Sequence, residues 1–158
     1  MILIKEVKSK MEYHLASKLF REYAEQLGID LSFQEFDREI QDLEAQYSHP
    51  HGTIFVALDT EDNAMGCIAI RKLENSICEL KRMYVKPGFR GLGVGQKLLA
   101  KSLKKGKSLG YDTMRLDTLA SMEKALALYT KAGFYEIPPY RYNPVEGAKY
   151  FEIDLNSL

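Results

Sequence analysis

The residues best suited to chemistry run from Arg90 to Gly95, Arg-Gly-Leu-Gly-Val-Gly. Before them, Met83-Tyr84-Val85 is strand-prone and is stopped by Pro87-Gly88; after them, Val94, Leu98, Leu99 and Leu103 have helical apolar spacing. The pattern predicts a strand, a tight glycine loop and a helix N-terminus. The first N–H groups of a helix have no intrahelical partner and sit at the positive end of its dipole, so glycines that bring the backbone close make an anion cradle. A phosphorylated ligand is the natural guest, held by the amides of Gly91, Leu92, Gly93, Val94, Gly95 and Gln96 with Arg90 beside them. Other phosphate loops do not fit. Gly95-Gln96-Lys97-Leu98 lacks the Walker spacing and the hydroxyl for magnesium, and Gly91, Gly93 and Gly95 give G-x-G-x-G where a dinucleotide fold needs G-x-G-x-x-G.

The pattern that does fit is R-x-x-G-x-G. It is preceded by Leu80-Lys-Arg-Met-Tyr-Val-Lys-Pro87 and followed by Ala125-Leu-Ala-Leu-Tyr129-Thr-Lys-Ala-Gly133-Phe134. In this order and spacing the three segments resemble the GNAT superfamily of N-acyltransferases, from about Ile2 to Leu155 and most specifically from Glu79 to Phe134. The resemblance implies an α/β fold for residues 1–158 as one domain, with a mixed, mostly antiparallel twisted sheet of about seven strands and helices on both faces. It implies acetyl-CoA as co-substrate, its pyrophosphate on the glycine loop and its pantetheine arm beside Met83, Tyr84 and Val85. That placement requires the two central strands to splay apart, which a bulge near Lys81 to Met83 assists. The N–H of Met83 or Tyr84 would then polarise the thioester carbonyl.

Acetyl transfer to an amine needs a base to remove the ammonium proton and an acid to protonate the departing thiolate. By the resemblance, Tyr129 is the acid, pointing at the sulfur. A core aromatic is the alternative. Glu79 stands where family members often carry a general-base glutamate, and flanking Ile77, Leu80 and Met83 would desolvate it and raise its pKa. The alternative is a structural Glu paired with Lys81 or Arg82. Many family members have Asn seven residues before the tyrosine to help hold the coenzyme; here it is Met122, and Ser121 could take over part of that contact. Family members commonly place substrate contacts in the link that here reads Gly28-Ile-Asp30-Leu31 and in the helix after it. The proline-bounded Tyr140-Arg141-Tyr142 suits a small amine that also carries a carboxylate, with Arg141 as the carboxylate's partner. Otherwise both tyrosines pack on the sheet and Arg141 pairs with Glu146.

These groups need an ordered scaffold. Ile2 to Val7 reads as a strand, and Ser9-Lys-Met-Glu12 as a capping box opening a helix with a stripe at Met11, Leu15, Leu19, Tyr23 and Leu27, stopped by Gly28. Ser32-Phe-Gln-Glu35 is a second capping box, ahead of Phe33, Phe36, Ile40 and Leu43 on one helix face. Strands follow at Thr53 to Leu58, Met65 to Leu73 and Ile77 to Val85, an antiparallel meander leading into the glycine loop. After the helix from Val94 to Leu109, the crossover to Tyr111 to Thr118 predicts a parallel pair. Ser121 is placed to cap the next helix, Gly133 to end it, and Phe134 to Ile137 and Lys149 to Ile153 close the sheet.

At 158 residues, 46% hydrophobic and 28% charged, with formal net charge zero, the chain has an ordinary globular composition and no basic excess for nucleic acid. Lys97, Lys101, Lys104, Lys105 and Lys107 read as the solvated side of a helix. No apolar run reaches membrane-spanning length and Met-Ile-Leu-Ile-Lys-Glu has no signal-peptide layout, so a cytoplasmic protein is expected. Cys67, expected opposite a residue near Met83, and Cys78, opposite one near Lys72, are not placed to form a disulfide. His49-Pro50-His51 reads as a turn, and no metal site is expected. The leading function is an N-acetyltransferase acting on a small-molecule amine; the alternatives are a protein N-terminal or lysine acetyltransferase and a non-catalytic acyl-CoA sensor. A homodimer is a further expectation of the resemblance.

Overall fold

The computed structural model describes residues 1–28, 30–31 and 35–158. Its strands are β1 (Leu3–Glu6), β2 (Thr53–Leu58), β3 (Ala64–Glu74), β4 (Ile77–Val85), β5 (Thr113–Leu119), β6 (Tyr135–Ile137) and β7 (Ala148–Asp154). They form one seven-stranded sheet in the order β1-β2-β3-β4-β5-β7-β6. Every neighbouring pair is antiparallel except β4 and β5, which are joined by the crossover helix α4, introduced with the other helices below.

The helices are α1 (Lys10–Leu27), α2 (Phe36–Gln41), α3 (Leu43–Gln46), α4 (Val94–Ser108) and α5 (Glu123–Ala132). They lie on both faces of the sheet. Leu98, Leu99 and Leu103 of α4, with Tyr129 of α5, join Phe55, Ile68, Ile70, Leu80 and Met114 in one core. Ala16, Leu19 and Phe20 of α1, with Tyr47 after α3, join Ile54, Val56, Cys67 and Ala69 in the other. Among the described residues, no helix is long and apolar enough to cross a membrane.

Local signals explain most element ends. The Ser9 hydroxyl accepts from the Glu12 N–H at 3.2 Å and the Glu12 carboxylate accepts from the Ser9 N–H at 2.8 Å, closing the expected capping box. Gly28 ends α1 in the left-handed region. The buried stripe, however, is Ala16, Leu19 and Phe20, and Met11 is 84% exposed. A four-residue repeat drifts by about 40° per step around a helix, so the apolar positions taken every fourth residue leave the contact line at one end. Ser32 and Phe33 of the second capping box lie outside the described residues. Glu35 precedes α2 with φ 56° and makes no side-chain cap, and the helix breaks at Asp42, which caps α3 through the Ala45 N–H. β5 starts at Thr113 rather than Tyr111, whose hydroxyl instead donates to the His51 carbonyl at 2.5 Å. Ser121 does not cap α5: the residue at the cap is Met122, without a side-chain bond.

The β3–β4 ladder carries the feature that matters most for the site. Cys67 faces Tyr84 and Ala69 faces Lys81, so Ile68 opposes two residues, Arg82 and Met83. This is a bulge at the expected place, with Arg82 at φ 58°. It also moves the partner of Cys67 from Met83 to Tyr84, while Cys78 faces Lys72, and both thiols are free.

Candidate active site

Pairing between β4 and β5 consists of Ile77 with Thr113, Cys78 with Met114 and Glu79 with Arg115. Beyond Glu79 the strands part, β4 remaining on β3 and β5 on β7 to their ends. The edges Leu80–Val85 and Leu116–Leu119 therefore form a fork in the sheet. A cleft of about 920 Å³ opens there, large enough for an extended ligand. Its lining brings together Met83, Tyr84, Val85, Arg90, Gly91, Gly93, Val94, Gly95 and Ser121 from the predicted set. Leu92 and Gln96 are exposed and are not part of the lining.

The glycine loop forms an open anion cradle. Gly91 and Gly93 have φ of 82° and 83°, a conformation that carries a steric cost for any residue with a Cβ. Gly93 is the N-cap of α4 and supplies no side-chain acceptor, and the first turn holds no acidic residue. The first helical bond runs from the Lys97 N–H to the Gly93 carbonyl at 3.1 Å, which leaves the amides of Val94, Gly95 and Gln96 for a ligand. Arg90 has a bracing role as well as a charge. Its Nε donates to the Val85 carbonyl at 2.9 Å and its Nη2 to Gln26 Oε1 at 3.0 Å, tying the loop to β4 and to α1.

A smaller compartment, about 60 Å³, continues from the cleft into the fork. Leu80, Lys81, Arg82 and Met83 line one wall, Leu116, Asp117, Thr118 and Leu119 the other, with Tyr23, Tyr129 and Asn143 around them. Tyr129 is buried, packed edge-on against Phe134 at 5.7 Å, and its hydroxyl lies 3.9 Å from Met83 Sδ. Burial, with the fields of Tyr23 and Asp117, pushes its phenol far above the ordinary value. It is therefore a protonated donor on the smaller compartment, beside Met83, which lines both.

Glu79 departs from the expected electrostatics. Its side chain is fully buried, yet Arg141 reaches it at 2.6 Å, Arg71 at 3.3 Å and Lys81 at 4.0 Å, and Tyr140 donates to Oε2 at 2.8 Å. Burial alone would raise its pKa, as the sequence suggested; Lys81, Arg141 and Arg71 together outweigh that and hold it below 4.5. The direction is opposite to that expected of a base poised near neutrality, and the bonds from Tyr140 and Arg141 tie the loop after β6 to β4. Arg82 is not its partner. Both guanidinium arms of Arg82 instead donate to Glu39 at 2.9 Å, a buried bidentate pair that the bulge makes possible.

The other substrate candidates separate. Tyr140 packs on Tyr150 at 5.4 Å and Arg141 binds Glu79 rather than Glu146, so neither side chain is turned into the compartment. Tyr142 does not pack on the sheet; it is 77% exposed. Asp30 is exposed and lines neither compartment. Asp117 and Asn143 do line the fork and were not singled out from the sequence; Lys81, named there only as a partner for Glu79, lines it too. The signal for Asp117 was present: alternation in Thr-Met-Arg-Leu-Asp-Thr-Leu places Thr113, Arg115 and Asp117 on one face of a central strand.

The comparisons agree with this geometry. The model of the acetyltransferase (GNAT) family matches residues 15–134. An uncharacterized N-acetyltransferase of Schizosaccharomyces pombe is 35% identical over 156 residues, covering 98% of this chain and 96% of its own. N-acetylaspartate synthetase of Homo sapiens is 31% identical over 126 residues, 78% of this chain and 39% of that one. A GNAT-family acetyltransferase structure from Staphylococcus aureus superimposes with a TM-score of 0.81 at 24% identity, covering 98% of this chain and 99% of the other. The cleft, the open helix terminus and the matched segment converge on one assignment: the chain belongs to the GNAT family of acetyl-CoA-dependent N-acetyltransferases.

Proposed function

We infer that residues 1–158 form one N-acetyltransferase domain whose acceptor is a primary amine of a small molecule. The observation that carries this reading is the fork: a cleft that ends on the open N-terminus of α4 narrows at Met83 and Tyr129 into a compartment of about 60 Å³. That space holds roughly four to six waters, a size suited to a small molecule's amine end. A protein N-terminus or lysine would need an open groove, and here the loop carrying Tyr140 and Arg141 is fastened down onto Glu79.

Acetyl-CoA supplies the activated acetyl group. The amides of Val94, Gly95 and Gln96 would hold its pyrophosphate, and the free edge of β4 from Met83 to Val85 would hold its pantetheine arm. Tyr129 hydrogen-bonds the departing sulfur and returns a proton to it. As the new N–C bond forms and the C–S bond breaks, an ammonium acceptor loses two protons; one ends on the sulfur and the other reaches solvent. A non-catalytic sensor would have no use for a buried phenol at this junction.

The test is thiol release from acetyl-CoA across a panel of amines, polyamines, amino acids and peptides. Turnover on small amines and none on peptides supports this reading; turnover on peptides alone rejects it. The cradle has its own test. Gly93→Ala places a Cβ at φ 83°, which costs about 1–2 kcal/mol, and shifts the α4 amides away from the ligand. A lower melting temperature together with weaker acetyl-CoA binding by calorimetry is expected.

A further inference from the structure

Among the described residues, the charged ones that line the compartment are Lys81, Arg82 and Asp117. Arg82 is committed to Glu39 through two bonds of 2.9 Å. Lys81 and Asp117 stand on opposite walls. Parallel pairing ends with Glu79 beside Arg115, so two residues further along each strand Lys81 and Asp117 come level with each other across the fork, on the sheet face that Glu79 and Arg115 share. One wall thus offers an ammonium group and the other a carboxylate, with the Tyr129 hydroxyl and Met83 at the end where the cleft enters.

Resting on the acetyltransferase reading above, we propose that the acceptor is a small amino acid, its ammonium group directed to Asp117 and its carboxylate to Lys81.

Lys81 is set up for an anion. Its side chain is 2% exposed, and the Glu79 carboxylate 4.0 Å away is shared with Arg141 and Arg71. Burial, with Arg82 adjacent on its own strand and Arg71 on β3, pushes its amine down to about 7, against the pull of Glu79 and of Asp117 on β5. An incoming carboxylate restores the charged form. Asp117 is set up for a cation: Asn143 Nδ2 donates to Oδ2 at 3.2 Å and fixes the carboxylate's orientation. Its field reaches Tyr129 as well as Lys81, so an ammonium bound there sits close to the group that serves the leaving sulfur. A polyamine, with several cations and no anion, is poorly matched to a site with one carboxylate and a lysine facing it.

The test compares acceptors in pairs that differ in the carboxylate alone: glycine with glycinamide, β-alanine with its amide, aspartate with its α-amide. For the wild type, kcat/KM for the acid is expected to exceed that for the amide by about 10- to 100-fold, the range of a charge-assisted hydrogen bond. Lys81→Met, close in shape and uncharged, brings that ratio toward one by raising KM for the acid. Asp117→Asn lowers kcat/KM for acid and amide alike. Binding of each pair to the coenzyme A complex, by calorimetry, gives the same comparison without turnover. Preferential binding of the acid that is lost in Lys81→Met upholds the proposal even where thiol release is absent, in which event it is the acetyltransferase reading that fails. Equal use or preferential use of the amide by the wild type, a ratio unmoved in Lys81→Met, or no binding of either member overturns it.

Discussion

Tyr129→Phe lowers kcat by about 100-fold or more, the size of effect produced by removing a positioned general acid. The ring keeps its edge-on packing against Phe134 and its place in the apolar core, neither of which needs the hydroxyl. The hydroxyl's bond in the structure is to a thioether sulfur at 3.9 Å, a weak acceptor, so the variant should melt within a few degrees of the wild type. Binding of acetyl-CoA should change little, since the pyrophosphate cradle and the β4 edge are untouched. Loss of rate with stability and affinity retained separates a group that acts on the leaving sulfur from a core aromatic. Thiol release, a melt and calorimetry on the one variant decide it, and an unchanged kcat returns Tyr129 to the core. The pH profile adds a check. Because the phenol is pushed far above its ordinary value, its ionisation adds no alkaline limb below pH 10, and any limb near neutrality belongs to another group.

What could be read from the sequence was what is coded locally. The glycine loop is visible because alternate glycines are rare and have one geometric use; the capping box at Ser9 and Glu12 is visible because both partners lie three residues apart. The bulge was anticipated from the need to open the sheet and falls at Arg82. Charge partners were not legible, because tertiary structure chooses them. Glu79 collects Arg71 from the neighbouring strand and Arg141 from a loop 62 residues downstream, and neighbours in sequence gave the wrong expectation for its pKa. Arg82 looked available to Glu79 until the bulge turned it onto Glu39, 43 residues away. Asp117 and Lys81 are unremarkable residue types in strands. Their significance appears once the end of the β4–β5 ladder at Glu79 shows that they face a gap rather than each other's backbone.

Glu79→Gln tests the role of this carboxylate directly, and its effect should be large. The amide keeps the shape but withdraws the charge that balances Arg141, Arg71 and Lys81, and removing one partner of a buried ionic cluster costs about 3–5 kcal/mol. For a chain of this length each kcal/mol moves the melting temperature by roughly 2–4 °C, so a fall of about 10 °C is expected at pH 7. The sign of the pH dependence follows from the direction of the shift. A carboxylate whose folded pKa lies below 4.5 stabilises fully above that value, and the contribution fades as pH falls through the folded pKa. Wild type and variant should therefore converge in acid, as pH falls through the folded pKa of Glu79, while the share of the difference that Lys81 contributes, its amine held up at about 7 by Glu79, declines as pH rises through neutrality. A base tuned to neutrality would instead leave the variant the more stable of the two above its pKa and bring them together as pH falls from 8 to 6, and the opposite slopes of melts across that range distinguish the two. The same substitution weakens the ties of Tyr140 and Arg141 to Glu79, leaving the loop held by the Tyr150 hydroxyl on the Arg141 carbonyl and by Asn143 on Asp117. Faster proteolysis or amide exchange across 138–147 in Glu79→Gln would show that the carboxylate steadies this wall of the compartment.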